Sequence, residues 1–274
     1  MLIAQITDVH IAAGRRLVCG RVDTASRLEQ VVRAINALEP QPAVVLATGD
    51  LGDLGTVDEY GLLLDLLGPL KAPLRVVPGN HDGRGPLAAA FAGQPGMPGD
   101  GSFLHYTLED WPVRLIALDT VVPGQPDGLL CRERLTWLEA RLAEQPERPT
   151  VIFQHHPPFP TGIIHMDAIG LSGADDQAAV VRRHPQVERV LCGHLHRPIQ
   201  ARWAGTLAST APSTAHQLAL DLRPDGPPAL ILEPPGYQLH QWIPGFGFAS
   251  HTAQVGPFAG PYPFFDPTTG GMIG

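Results

Sequence analysis

With 274 residues, 44% of them hydrophobic and 17% charged, the chain is long enough for one large globular domain or a domain with a cap, and it does not have the composition of a disordered protein. Its formal net charge of −8 argues against a general electrostatic hold on nucleic acid polymers or on an anionic membrane, while small anionic substrates stay open if metal ions supply positive charge locally. Cys19, Cys131 and Cys192 lie far apart without a CxxC, which suggests neither a disulfide framework nor a thiolate zinc site and fits a reducing compartment.

The N-terminal MLIAQITDVH lacks a basic leader region, and no later apolar stretch approaches membrane-spanning length, so a soluble cytoplasmic protein is expected. LIAQI reads as a buried strand leading into Asp8 and His10. Residues 23–38 have helical spacing with an Asp near the start, and AVVLATGD follows as a second strand. Next come a helix over 57–70, a strand and its loop in PLRVVPGNHD, and a helix over 131–145. TVIFQHHPP and VERVLCGHLH are the later strands. From about 197 to 243 short runs with frequent Pro and Gly suit antiparallel strands better than βα units. The alternation is that of an α/β protein, and two packed sheets flanked by helices accommodate both halves.

Each of these strands ends in residues of metal-ligand type: Asp8 and His10, Asp50, Asn80 and His81, His155 and His156, His194 and His196. An isolated HxH such as His194-Leu195-His196 is more often two surface histidines than a site. Here, however, five segments share the pattern, and the carboxyl ends of strands in open α/β sheets line one crevice. If His194 and His196 continue their strand, alternation points both imidazoles to one spot.

Carboxylates and imidazoles with one amide and no thiolate suit first-row metals such as Fe, Mn, Zn or Co, divalent or mixed-valence. Two cations need a shared anion, and Asp50, between Gly49 and Gly52, is the candidate bridge. Two such ions about 3.5–4 Å apart activate a bridging water and clamp the oxygens of an in-line phosphoryl displacement.

In this order the motifs Asp8-Val9-His10, Gly49-Asp50, Gly79-Asn80-His81-Asp82, His155-His156-Pro157 and Gly193-His194-Leu195-His196 resemble the calcineurin-like metallophosphoesterases, over residues 8–196. HHPP followed by HMD, and the downstream STAHQ, narrow the likeness to bacterial class III cyclic-nucleotide phosphodiesterases and related glycerophosphodiesterases. The resemblance implies a four-layer α-β-β-α double β-sandwich with a dinuclear metal site at the strand ends. It implies one metal on Asp8, His10, Asp50 and His196, and the other on Asp50, Asn80, His155 and His194. It further implies that His81, with Asp50, serves the chemistry, that Asn80, His81 and His216 approach substrate, and that the protein is a homo-oligomer, a dimer or larger. If its segment is extended, His156 should point away from His155 and act as a packing or supporting residue. His165, after HHPP, is a candidate for the pocket mouth. His105, His184, His240 and His251 are expected to be structural or exposed.

Phosphoprotein phosphatases of this superfamily carry GDxxDRG, whose Arg clamps a dianionic monoester. The segment here is GDLGDLG, with Leu54 in the Arg position, so a small phosphodiester monoanion is the expected substrate: a 3′,5′-cyclic nucleotide or a glycerophosphodiester. The alternatives are a phosphomonoesterase of the same superfamily or a non-catalytic metal-binding scaffold. Residues 1–243 are expected to form the catalytic domain. Residues 244–274, rich in Pro, Gly and aromatics, are expected to pack on it or on a neighbouring subunit.

Overall fold

The computed structural model describes residues 1–98 and 103–272. Its strands are β1 (Leu2–Ile6), β2 (Val44–Ala47), β3 (Leu74–Val76), β4 (Tyr106–Leu108), β5 (Arg114–Leu118), β6 (Gly128–Leu129), β7 (Thr150–Gln154) and β8 (Leu171–Ser172). They continue with β9 (Val187–Cys192), β10 (Ile199–Trp203), β11 (Thr206–Thr210), β12 (Gln217–Leu218), β13 (Leu230–Ile231), β14 (Gly236–Ile243) and β15 (Gly247–Gln254). The α-helices are α1 (Thr24–Asn36), α2 (Val57–Leu67), α3 (Arg84–Ala90), α4 (Arg132–Glu144), α5 (Ile164–Asp167) and α6 (Ala174–Arg182). None is long and apolar enough to cross a membrane.

Two sheets carry the fold, one ordered β15-β14-β1-β2-β3 and the other β10-β11-β9-β7-β5-β4. Alternation along each strand sorts the core into layers, because successive side chains leave a strand on opposite faces. Ile3, Val44 and Leu46 of the first sheet meet Leu115, Ala117, Val151 and Phe153 of the second between the sheets. Ala4, Ile6, Val45 and Ala47 face the other way, onto Leu28, Val31, Val32 and Ile35 of α1 and Tyr60 and Leu63 of α2. Ile116, Leu118, Ile152 and Val190 pack on Leu138 and Leu142 of α4 and Val180 and Val181 of α6. The order of layers is therefore α-β-β-α, a double β-sandwich. Strands covered on both faces explain why β2 and residues 115–118 of β5 are unbroken apolar runs.

The helices begin where their chemistry says they should. The Asp23 carboxylate accepts from Ser26 N at 3.0 Å and caps α1. Thr56 and Glu59 form a reciprocal capping box at α2. Glu59 is buried, and its Oε2 also accepts from Leu54 N at 2.9 Å, tying the GDLGDLG loop to the helix behind it.

In the C-terminal half, β10 and β11 are antiparallel as expected, but β11 runs parallel to β9. β14 and β15 form a hairpin that extends the first sheet beyond β1. The expected boundary between residues 243 and 244 falls in the turn of this hairpin, so residues 247–254 belong to the first sheet. Main-chain pairing along all of β15 decides this, and such pairing leaves no signature in the side chains of GFASHTAQ.

Candidate metal centre

The first sheet delivers Asp8 and His10 after β1, Asp50 after β2, and Asn80 and His81 after β3; the second delivers His155 and His156 after β7 and His194 and His196 after β9. All sit at the carboxyl ends of parallel strands. Five of them, Asp8, His10, Asp50, His194 and His196, have φ between 49° and 71°, in the left-handed region. This conformation is costly for residues with a Cβ and is kept where surrounding structure imposes it, commonly at functional sites. It also corrects the strand argument for GHLH. β9 ends at Cys192, and the two histidines are aimed by left-handed turns, so His194 and His196 join different clusters.

In one cluster, His10 Nε2 lies 3.1 Å from His196 Nε2, and His196 Nε2 lies 3.5 Å from Asp8 Oδ1. In the other, Asn80 Oδ1 lies 3.1 Å from both His155 Nε2 and His194 Nδ1. Asp50 Oδ2 lies between them, 3.7 Å from His10 Nε2 and 3.4 Å from His155 Nε2. Ligand atoms about 2.0–2.2 Å from a common ion stand roughly 3.0–3.5 Å apart, so the spacings suit one ion in each cluster with Asp50 shared. Asp8 Oδ2 is buried without a hydrogen-bond partner, as expected of an acceptor awaiting a cation.

Backbone carbonyls set the ring orientations. His155 Nδ1 donates to Thr48 O at 2.8 Å, His194 Nε2 to Ile169 O at 3.1 Å, and His196 Nδ1 to His216 O at 3.0 Å. Each bond leaves the other nitrogen facing its cluster. Burial pushes His194 down to about 3 and His196 down to about 4, and holds His10 well below the ordinary range, so these imidazoles are neutral at neutral pH. Burial also pushes the Asp8 carboxyl up to about 7. Burial opposes charge on His155 as well, but Asp50 and Asp8 outweigh it and raise His155 to about 9. The protein environment calls for positive charge at this point.

Glycines permit the approach of the loops. A Cβ on Gly79 would lie 2.2 Å from Asp50 Oδ1, and one on Gly193 would lie 2.1 Å from Thr7 Oγ1. The Asp82 carboxylate, a residue whose role the sequence did not disclose, accepts from Leu51 N, Gly52 N, Gly79 N and Tyr60 OH and fastens the Asp50 loop to the Asn80 loop.

His81 is tied by its backbone N–H to Asp50 Oδ1 at 2.8 Å and by Nδ1 to Asp53 O at 2.8 Å, leaving Nε2 free. Burial works against its charge, but Asp50 and Asp53 outweigh it and raise its pKa above the ordinary value. His156 does not turn away from the site. The chain bends after β7, and the ring stands 4.9 Å from His155 and 4.6 Å from His194. Both its nitrogens are engaged, Nε2 donating to Pro126 O and Nδ1 accepting from Thr120 Oγ1, so it braces the site without a free ligand atom.

A cavity of about 480 Å³ opens on the centre, lined by His10, Asp50, Asn80, His81, His194, His196 and His216. His216 has its ring 4.7 Å from His196 and a buried Nδ1 without a partner. His165 is not part of the lining; its neighbour Met166 is. Asp53 also lines the cavity, with Oδ1 3.9 Å from His10 Nδ1, and only the repeated GD of GDLGDLG hints at it in the sequence.

The family model for calcineurin-like phosphoesterases matches residues 1–198. A protein of Arcobacter nitrofigilis named "Probable glycerophosphodiester phosphodiesterase" is 38% identical over 267 residues, 97% of each chain. The 3′,5′-cyclic adenosine monophosphate phosphodiesterase of Escherichia coli K12 is 33% identical over 78% of this chain and 76% of its own. In fold, the chain is similar to a dimetal phosphatase from Danio rerio, with a TM-score of 0.64 and 17% identity, covering 93% of this chain and 99% of that one.

Proposed function

The chain belongs to the calcineurin-like phosphoesterase family, and from that premise we propose that it is a metal-dependent hydrolase of small phosphodiesters. The observation that carries this reading is Asp50 Oδ2 standing between two clusters of ligand atoms at the floor of an open cavity. We assign one ion to Asp8, His10, Asp50 and His196 and the other to Asp50, Asn80, His155 and His194, with Fe, Mn, Zn or Co as the ions their donors accept. When bound, the two ions supply positive charge to the phosphoryl oxygens and acidify water.

The remaining steps fall to the chain's own groups. His81 Nε2, held outward by the Nδ1 bond to Asp53 O, is placed to carry a proton to the departing alkoxide. His216 flanks the phosphoryl site. No Arg or Lys is among the described residues lining the cavity, which favours a monoanionic diester over a dianionic monoester. Glycerophosphodiesters and 3′,5′-cyclic nucleotides are the two candidate classes, matching the names of the relatives. We place the reaction in the cytoplasm, in keeping with three free cysteines. We also expect a homo-oligomer, supported by exposed Phe258, Tyr262, Phe264 and Phe265 in the segment after β15.

The test compares catalytic efficiency on a nitrophenyl diester, its matched monoester, cyclic AMP and a glycerophosphodiester with one metal-loaded preparation. Higher efficiency on diesters is expected. Preference for the monoester overturns the substrate class.

A further inference from the structure

The cavity above the metal centre has two chemically distinct sides. Its floor is the Asp, Asn and His ligand set. Its remaining lining is mostly apolar: Val18 and Cys19 from the loop before α1, Met166 and Ile169 from α5 and its C-terminal turn, and Leu218, Pro228, Ala229 and Leu230 from the β12–β13 ribbon and its approach, with Asp53 and Gln217 as the polar members. Leu218 and Leu230 are direct partners across that ribbon, which places them on one face of it, and both are half-buried. Phe, Tyr and Trp are absent from the lining, as are Arg and Lys, among the described residues. Such a wall offers no ring for base stacking, no cage for a quaternary ammonium and no cation for a second negative charge. It offers aliphatic surface that water covers poorly.

We propose that this wall is a specificity pocket for an uncharged aliphatic ester group of the diester, with Leu218, Leu230, Met166 and Ile169 as the residues that select it. The inference rests on the diesterase reading above and deepens it by naming the alcohol. The phosphoryl group sits over the ligand set and one ester arm lies along the ribbon and α5. Because this contact is the same before and during reaction, it acts on KM and not on kcat.

Symmetric dialkyl phosphates, which react slowly and present the same arm on either side, are the probes. Their affinity for the metal-loaded protein is measured by calorimetry and as competition against turnover of a nitrophenyl diester. Dibutyl phosphate is expected to bind about tenfold or more tighter than dimethyl phosphate, since each fully buried methylene is worth about fourfold and an open cavity buries only part of the chain. Leu218→Ser and Leu230→Ser should reduce that ratio to about threefold or less. Leu232→Ser, one residue past the end of β13, outside the cavity and 55% exposed, should leave it unchanged. Turnover of the nitrophenyl diester with no dependence on alkyl length overturns the pocket and leaves the diesterase reading intact. An equal loss in the Leu232 variant assigns the effect to general surface apolarity and also overturns it. Absence of turnover of any diester by the metal-loaded protein removes the diesterase reading, and the pocket with it.

Discussion

Gly79→Ala isolates the geometric demand of the metal centre without touching a ligand. The added methyl would lie 2.2 Å from Asp50 Oδ1, 2.3 Å from Asp50 N and 2.9 Å from Asp50 Cγ, so one of the two loops must move by about 1 Å. Relief by side-chain rotation is blocked, because Oδ1 is held by His81 N at 2.8 Å and one of the clashing atoms is backbone. Metal–ligand distances tolerate about 0.2 Å, and a displacement of about 1 Å at a reacting centre costs on the order of 100-fold in rate. Overpacking adds about 1–3 kcal/mol of destabilisation. Gly61→Ala supplies the control: Gly61 lies inside α2 with nothing within 4 Å of its Cβ position, so the same substitution should stabilise by about 0.5–1 kcal/mol and raise Tm by about 1–3 °C. The assay is diester turnover, bound metal per chain and thermal unfolding for the three proteins side by side. If Gly79→Ala keeps turnover within about threefold of wild type and still binds two metals, the close approach of the loops does not hold Asp50 in place and the reasoning is wrong.

Asp50→Asn should abolish turnover and lower total bound metal, because the shared carboxylate charge is lost while the shape stays; two metals per chain with near-normal activity would refute the bridge. Asn80→Ala should weaken the second ion selectively, since its other ligands are two neutral imidazoles and the shared Asp50, and Asn80→Asp should tighten it; equal second-site affinities in a metal titration would remove Asn80 from the ligand set. Adding Mn, Zn or Co to the metal-free protein should raise its stability by about 2.7 kcal/mol at 100 times the dissociation constant, read as a rise in Tm; an unchanged Tm would mean the folded chain holds no such site. Leu28→Ala, fully buried on the inner face of α1, should cost about 2–5 kcal/mol in urea unfolding with little change in turnover per folded molecule.

Strands β1, β2, β3, β7 and β9 were legible because each is a largely apolar run that leads into polar residues, whereas β4, β5 and β15 were not read from the sequence. The two-sheet architecture was legible because helices punctuate the strands. The candidate ligand types were legible for the same reason: Asp8, Asp50 and His155 lie within three residues of the end of an apolar strand. The positions of His156 and His196 were not, because the sequence argument assumed extended backbone, whereas the chain bends at His156 and takes left-handed turns at His194 and His196. The side of a residue cannot be counted by twos through such turns. The role of Asp82 was hidden because it acts on backbone N–H groups, which every residue has. The aliphatic wall was hidden because Met166, Leu218 and Leu230 lie far apart in the chain and sit in short elements whose pairing depends on the finished fold.

The left-handed conformation shared by five candidate ligand residues shows how the site's backbone is held. Residues 8, 10, 50, 194 and 196 each resist the backbone they adopt, at a cost of about 1–2 kcal/mol apiece, and nothing local in the nascent chain imposes it. Long-range contacts do: Asp8 N donates to Gly49 O and His10 N to Asp50 O within the first sheet, while Gln5 Nε2 donates to Cys192 O across the two sheets. This differs from a zinc finger, whose ligands sit on one short stretch of chain. The shape of the candidate site is thus a property of the whole fold, written by contacts between residues tens to hundreds of positions apart.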